Sequence, residues 1–448
     1  MQLARPLDRS SGILARVAAV AFALTVLFIF ALDGPSNPLG LAALAITGIC
    51  GLLLVPRPPL VVVLPALGAL LLTQQISAGF HIFDVITVLI ACAALLKSAT
   101  SGSSKAWELH GPGVLSLIYV AIPFLAVPFA VVSFYSFLGG FKELALPVIL
   151  FLSLRRLVPR EKSHTLLWVF PVVGLFAAGQ LLWRTHELGS RIYDRLEFRN
   201  FYTNLGWGWS DYIAALMEMC LLGTFLLTLL ERRRLVRIGL LIAMLPMLQA
   251  FLVLFSRAGT LALFVAGLVL VVAQSGKKSL IGIAILGLLV VIGLATPGGQ
   301  VIADRFTDPK EFASYYTRVI VWLQSWNRFV AHPWTGIGLN QGRYQMDEMG
   351  DSRAHNPLLD ALMDTGILGG LMFLTLVYFT YRLCWRAEPF GYTGRLKTVR
   401  SAMVAFLTAV LLHAFVEPTI SGYAMAFLLA WFVAWLTLQD PRGRAAVT

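Results

Sequence analysis

The sequence predicts an all-α polytopic membrane protein of about 12–14 transmembrane helices, with a large outer loop region of short helices. Three observations predict it. The 448 residues are 58% hydrophobic and only 13% charged, with mean hydropathy +0.79, where soluble domains average roughly 45–50% apolar and about 25% charged. The apolar residues fall in runs of about 20, the length that crosses a hydrocarbon core. None of the runs alternates as a strand does, and only helices or closed barrels satisfy their backbone in lipid.

The runs lie near residues 14–32, 38–56, 59–75, 80–97, 113–134, 140–157, 165–183, 211–230, 238–255, 258–274, 279–296, 358–381, 401–416 and 422–438. Two short pairs also read as re-entrant segments, which gives about twelve spans instead of fourteen. Arg5, Arg9 and Arg16 precede the first run, which reads as an uncleaved span because no small-residue cleavage pattern follows. Cys50, Cys92, Cys220 and Cys384 sit in or beside apolar runs without metal-ligand spacing and read as apolar filler.

Charge sets the orientation. Basic groups stand at Arg57, Lys97/Lys105, Arg155/Arg156/Arg160/Lys162, Arg232/Arg233/Arg234/Arg237, Lys277/Lys278, Arg382/Arg386/Arg395/Lys397/Arg400 and Arg442/Arg444. With fourteen alternating spans they all share one side, which is then cytoplasmic along with both termini. The net charge of +12 therefore reads as membrane orientation and not as nucleic-acid binding.

The opposite side holds a minority of basic residues, gathered in the loops 184–211 and 296–357, with Arg257 in a short turn between apolar runs. The chain reads as a single integral membrane domain. Arg191, Arg195 and Arg199 recur every four residues and share a helix face. Guanidinium groups hold phosphate in a bidentate way and stay charged; the alternative is a surface helix in which Asp194 and Glu197 pair with them. Arg257 reads either as an anion ligand or as a side chain snorkelling to headgroups. The long loop adds Arg305, Arg318, Arg328, Arg343 and Arg353.

His355 precedes Asn356 and Pro357, a cap and first-position proline for the next helix. Histidine is the side chain whose reference pKa, about 6.5, suits proton transfer from a hydroxyl near neutrality. His413 and Glu417 are spaced to pair with each other and read as a polar group behind the site. No Gly-Lys-Ser/Thr loop and no His-Glu-x-x-His motif occurs, and no cofactor is called for. Asp347, Glu348 and Asp351 leave metal dependence open.

These residues carry a resemblance to the O-antigen ligase and polymerase superfamily of bacterial membrane glycosyltransferases. Arg257 with Leu261, in Ser-Arg-Ala-Gly-Thr-Leu, and His355 with Gly366, ten residues between them, resemble its two hallmark patterns. Between them, Arg318 to Trp322 and His332-Pro333-Trp334-Thr335-Gly336-Ile337-Gly338 resemble the run that links these patterns. The motifs cover roughly residues 250–375, and the count of fourteen spans departs from the twelve usual for ligases.

The resemblance implies metal-independent, inverting transfer of a glycan from undecaprenyl diphosphate to a hydroxyl of lipid A–core at the periplasmic face of the inner membrane. It implies His355 as the general base, with Arg257, Arg318 and one of Arg191, Arg195 or Arg199 on the diphosphate. The acceptor in a polymerase would be a growing polysaccharide on the same carrier, and a protein acceptor is a third form. From a different class, a lipid flippase would bind and release the same anion without chemistry. A flippase calls for charges along span interiors, whereas here they gather at span ends and in outer loops.

Overall fold

In the computed structural model, the residues described are 82–101, 112–125, 127–130, 133–189, 210–273, 307, 309–342, 353–392, 394, 396–417 and 423–441. The expected spans 14–32, 38–56, 59–75 and 279–296 lie outside them, as do Arg191, Arg195, Arg199 and the loop acids Asp347, Glu348 and Asp351. The described chain folds as helices: α1 Ile82–Ser101, α2 Pro112–Ala121, α3 Val127–Ala130, α4 Phe134–Leu157, α5 Val169–Leu188 and α6 Ser210–Leu230. There follow α7 Arg234–Val253, α8 Arg257–Val272, α9 Pro309–Ala331, α10 Pro357–Arg386, α11 Leu396–Ala414 and α12 Tyr423–Leu438. Six helices among the described residues are long and apolar enough to cross a membrane. Large apolar side chains face outward along them; Leu241, Ile242, Leu245, Leu248 and Leu252 form such a surface on α7, which only a lipid solvent accommodates at low cost.

The expected span 113–134 is a correction: it is not one helix. It breaks into α2, a 3-10 turn Ile122–Leu125 and the short α3. Pro123 and Pro128 each remove a backbone donor and crowd the preceding turn, which ends a regular helix. The described part of the 296–357 region contains the 23-residue helix α9.

Small residues set the closest packing. Ala258, Gly259, Ala262 and Ala266 are buried on one face of α8, which lies against α11; short side chains let two backbones approach without a hydrophobic drive from water. The core of α5, α6, α11 and α12 is aromatic, with Phe406 stacked on Phe432 at 4.2 Å and edge-on to Phe170 at 5.5 Å.

The bundle has two different ends. At one, the basic groups seal helix termini. Lys97 Nζ donates to the Leu157 carbonyl at 3.0 Å, Arg156 Nε to Ser98 Oγ at 3.0 Å, and Arg400 Nε to the Ala387 carbonyl at 3.1 Å. At the other end lie the N-termini of α4, α8 and α10 and the loop that joins α9 to them.

Candidate active site

The site is built around a break in α10. Gly366 carries φ +67° inside the helix, a conformation that L side chains adopt rarely. The break leaves backbone groups without helical partners, which is costly at membrane depth. The segment 333–338 supplies them. Ile337 N–H donates to the Met363 carbonyl at 2.8 Å, Gly338 N–H to the Asp364 carbonyl at 3.0 Å, and Ile367 N–H to the Pro333 carbonyl at 2.8 Å. Gly336, also at positive φ, touches the backbone of Asp364 and Thr365, and a Cβ on Gly366 would lie 2.6 Å from Trp334 backbone atoms. Both glycines are therefore required by contact as well as by conformation. Gln341 extends the clasp to α4: its side chain donates to and accepts from the backbone of Ser133, each at 3.0 Å.

The clasp fixes the turn that carries His355. Asn356 caps α10 by accepting from Leu358 N–H at 3.1 Å and Leu359 N–H at 3.2 Å. Asp360, one turn on, accepts from Ala354 N–H at 2.7 Å. Held from both sides, His355 adopts φ +53°, uncommon for a non-glycine residue and a form of strain that clusters at functional sites. Phe255, which precedes the Ser256 cap of α8, and Asn340, which follows the clasp, are the other described non-glycine residues at positive φ.

Three predicted residues, Arg318, Glu417 and His355, meet here. Arg318, from the middle of α9, pairs with Glu417 beyond the end of α11. The other carboxylate oxygen of Glu417 lies 3.8 Å from His355 Nδ1, too far for a hydrogen bond. Arg257 opens α8, half-buried behind Ser256, whose hydroxyl caps Gly259 N–H at 3.2 Å.

The expected pairing of His413 with Glu417 is a correction. His413 Nδ1 instead lies 2.7 Å from Glu218 on α6, and both side chains are about 1% exposed. Their second polar atoms, Glu218 Oε1 and His413 Nε2, are buried without a hydrogen-bond partner among the described residues. The His413 carbonyl accepts from Glu417 N–H at 2.9 Å. A Cβ on Gly259 would come within 3.2 Å of His413 Cε1. The buried pair thus lies between the start of α8 and the stretch that carries Glu417. Sequence reasoning missed Glu218, although an acid inside an apolar run is itself a signal.

Beside the His355 turn, a cavity of about 340 Å³ opens between α4, α10, α11 and α12. Phe151, Phe373, Leu376, Leu407 and Val433 line its body, while Glu143, Arg353, Asp360, Asp364 and Tyr119 line its polar end. Arg353 pairs with Glu143. Burial works against its charge, but Glu143 and Asp360 outweigh that and raise its pKa above the ordinary arginine value. Asp364 Oδ1 is buried without a partner among the described residues. Glu143, Asp360 and Asp364 were not foreseen; the two aspartates sit four apart on the first turns of α10, spacing that gives them a common face.

Comparison with known families matches residues 242–374 to the O-antigen ligase family. Comparison with curated proteins gives no match. The matched stretch runs from within α7 to within α10 and contains Arg257, Arg318, the 333–338 clasp, His355 and Gly366. The match supports membership of the O-antigen ligase and polymerase superfamily.

Proposed function

We propose that the protein transfers a glycan from undecaprenyl diphosphate to a hydroxyl of lipid A–core, at the periplasmic face of the bacterial inner membrane and with both termini cytoplasmic. The observation that carries this reading is the convergence of Arg318 and His355, both within the stretch that matches the O-antigen ligase family, on Glu417 at one end of the bundle.

In this mechanism, His355 takes the proton of the acceptor hydroxyl as its oxygen attacks the anomeric carbon. The bond from that carbon to the diphosphate breaks, its electron pair leaves on the diphosphate oxygen, and the configuration inverts. Arg257 and Arg318 hold the charge that develops on the leaving group, with one of Arg191, Arg195 or Arg199 as a third ligand. Glu417 steadies Arg318 and offsets the charge gained by His355. Residues supply both the base and the charge stabilisation, so the step calls for no metal. The apolar cavity suits the chain of a lipid substrate, while the carboxylates at its polar end disfavour a diphosphate there.

The test is reconstitution in nanodiscs with an undecaprenyl-diphosphate-linked glycan and lipid A–core. Transfer releases one undecaprenyl diphosphate for each glycosylated core. Donor extended by further repeats, with core untouched, makes the protein a polymerase instead. Lipid movement in sealed vesicles without release of the diphosphate makes it a flippase and removes the catalytic reading.

A further inference from the structure

Helix α9 is amphipathic but turned inside out. On a 3.6-residue period, Arg318, Val321, Ser325 and Arg328 share one face, and Tyr316, Ile320, Leu323 and Val330 share the other. The first face turns toward the protein: Val321 and Ser325 are buried and Arg318 meets Glu417. The second is open, with Tyr316 66%, Leu323 57% and Val330 57% exposed. A surface helix in water does the reverse, burying its apolar stripe. Asn327 interrupts the open face, and Trp326 borders it.

The open face continues into a lipid-facing surface. Trp334, just past α9, is 73% exposed, and the clasp joins its neighbour Pro333 to Ile367. From there Ile367, Leu368, Leu371 and Leu374 stand exposed along α10, which is long and apolar enough to span. The C-terminal end of α9 therefore lies at the level of Gly366, about 13 Å along α10 from Pro357 at 1.5 Å per residue. Tyrosine and tryptophan favour that depth, where an amphipathic ring meets both headgroups and chains.

We propose that α9 is an interfacial helix whose Tyr316–Ile320–Leu323–Val330 face lies in the lipid boundary of the bilayer, while its polar face walls the site. The occupant of the open face is the membrane itself. One consequence rests on the transfer reaction proposed above: Arg318 is held at headgroup depth, where the phosphates of a lipid-borne donor travel. The membrane contact stands without it, and so does its test.

An environment-sensitive fluorophore is placed on single cysteines at Leu323 and Val330 in the full chain, in phosphatidylcholine–phosphatidylglycerol nanodiscs. The same fluorophore at Arg233, an exposed loop residue, is the reference. Doxyl-lipid quenching at positions 323 and 330, with iodide quenching several-fold weaker than at 233, is the expected result. Iodide quenching equal to the reference places the face in water and overturns the proposal. Protection from iodide without doxyl quenching means that protein covers the face, a second copy or another segment, and also overturns it. Should removal of the native cysteines prevent folding, a benzophenone amino acid at Leu323 in the native background decides the same question. Crosslinks to labelled phospholipid support the proposal, and crosslinks to protein overturn it.

Discussion

Two arginine–glutamate pairs flank the buried Ala354, and they face opposite tasks. Arg353 meets Glu143 at the polar end of the apolar cavity, where Asp360 and Asp364 add two more carboxyl groups. Among the described residues, Arg318 meets Glu417, and that carboxylate also faces His355. The first place has more acid than base and repels an anion. Among the described residues the second balances one acid against one arginine, with a histidine beside them, and under the proposed reaction this is where an incoming negative charge is held. Two pairs of the same composition differ in what else surrounds them, and under the proposed reaction only the second suits a diphosphate.

The largest effect is expected at His355. His355→Ala removes the proposed base, and general-base catalysis contributes roughly 10²–10⁴-fold, so turnover of the purified protein falls by that order while donor binding persists. His355→Gln, which keeps a hydrogen bond but carries no proton at this pH, fails to the same degree. Wild-type turnover in this variant would reduce the histidine to a structural role. Next come the arginines: Arg257→Ala and Arg318→Ala each lower turnover by about 10²–10³, the scale of losing one preorganised charge-stabilising donor. Lysine rescues either position poorly because it lacks the planar fork. Full activity of Arg257→Ala would leave that residue as a snorkelling side chain.

On the other side of Ala354 the effect moves from rate to stability. Glu143→Ala leaves Arg353 without its principal partner and destabilises by about 1–3 kcal/mol, a figure kept below that of a fully buried pair because the side chains are about a quarter exposed. Thermal unfolding in detergent reads the loss, and turnover of the protein that remains folded stays within a few-fold. A collapse of turnover comparable to that of Arg318→Ala would erase the distinction between the two pairs. Gly366→Ala adds backbone strain of about 1–3 kcal/mol and a contact with Trp334, so it lowers the melting temperature as well. The smallest effect tests sidedness: cysteines at the exposed Thr307 and Arg233 leave activity intact. In intact cells an impermeant thiol reagent labels position 307 and not 233, and the opposite pattern would invert the orientation.

Much of the fold was legible because spans depend on local quantities, length and hydropathy, and the break in 113–134 could be read from Pro123 and Pro128. The candidate residues Arg257, Arg318 and His355 stood out as charged or protonatable groups placed where charge is disfavoured. Their partners did not. Arg318 and Glu417 are 99 residues apart, Glu218 and His413 195, and Glu143 and Arg353 210, and spacing rules reach only one or two helical turns. That limit explains the misassigned His413: its neighbour at four residues met the local rule, but packing brought a nearer carboxylate from α6. The period of α9 was likewise readable in the sequence, but not which of its faces turns inward, since that depends on what the helix lies against.

The clasp on α10 also bears on biosynthesis. The segment 333–338 precedes α10 in the chain, so it has already been made when residues 363–367 emerge. The donors and acceptors that mend the broken ladder are present from the start, and α10 need not wait in lipid with its backbone open. A rearranged chain that supplied 333–338 after α10 would contain every contact of the finished protein and still insert badly, because the order of synthesis is part of what makes a discontinuous helix tolerable.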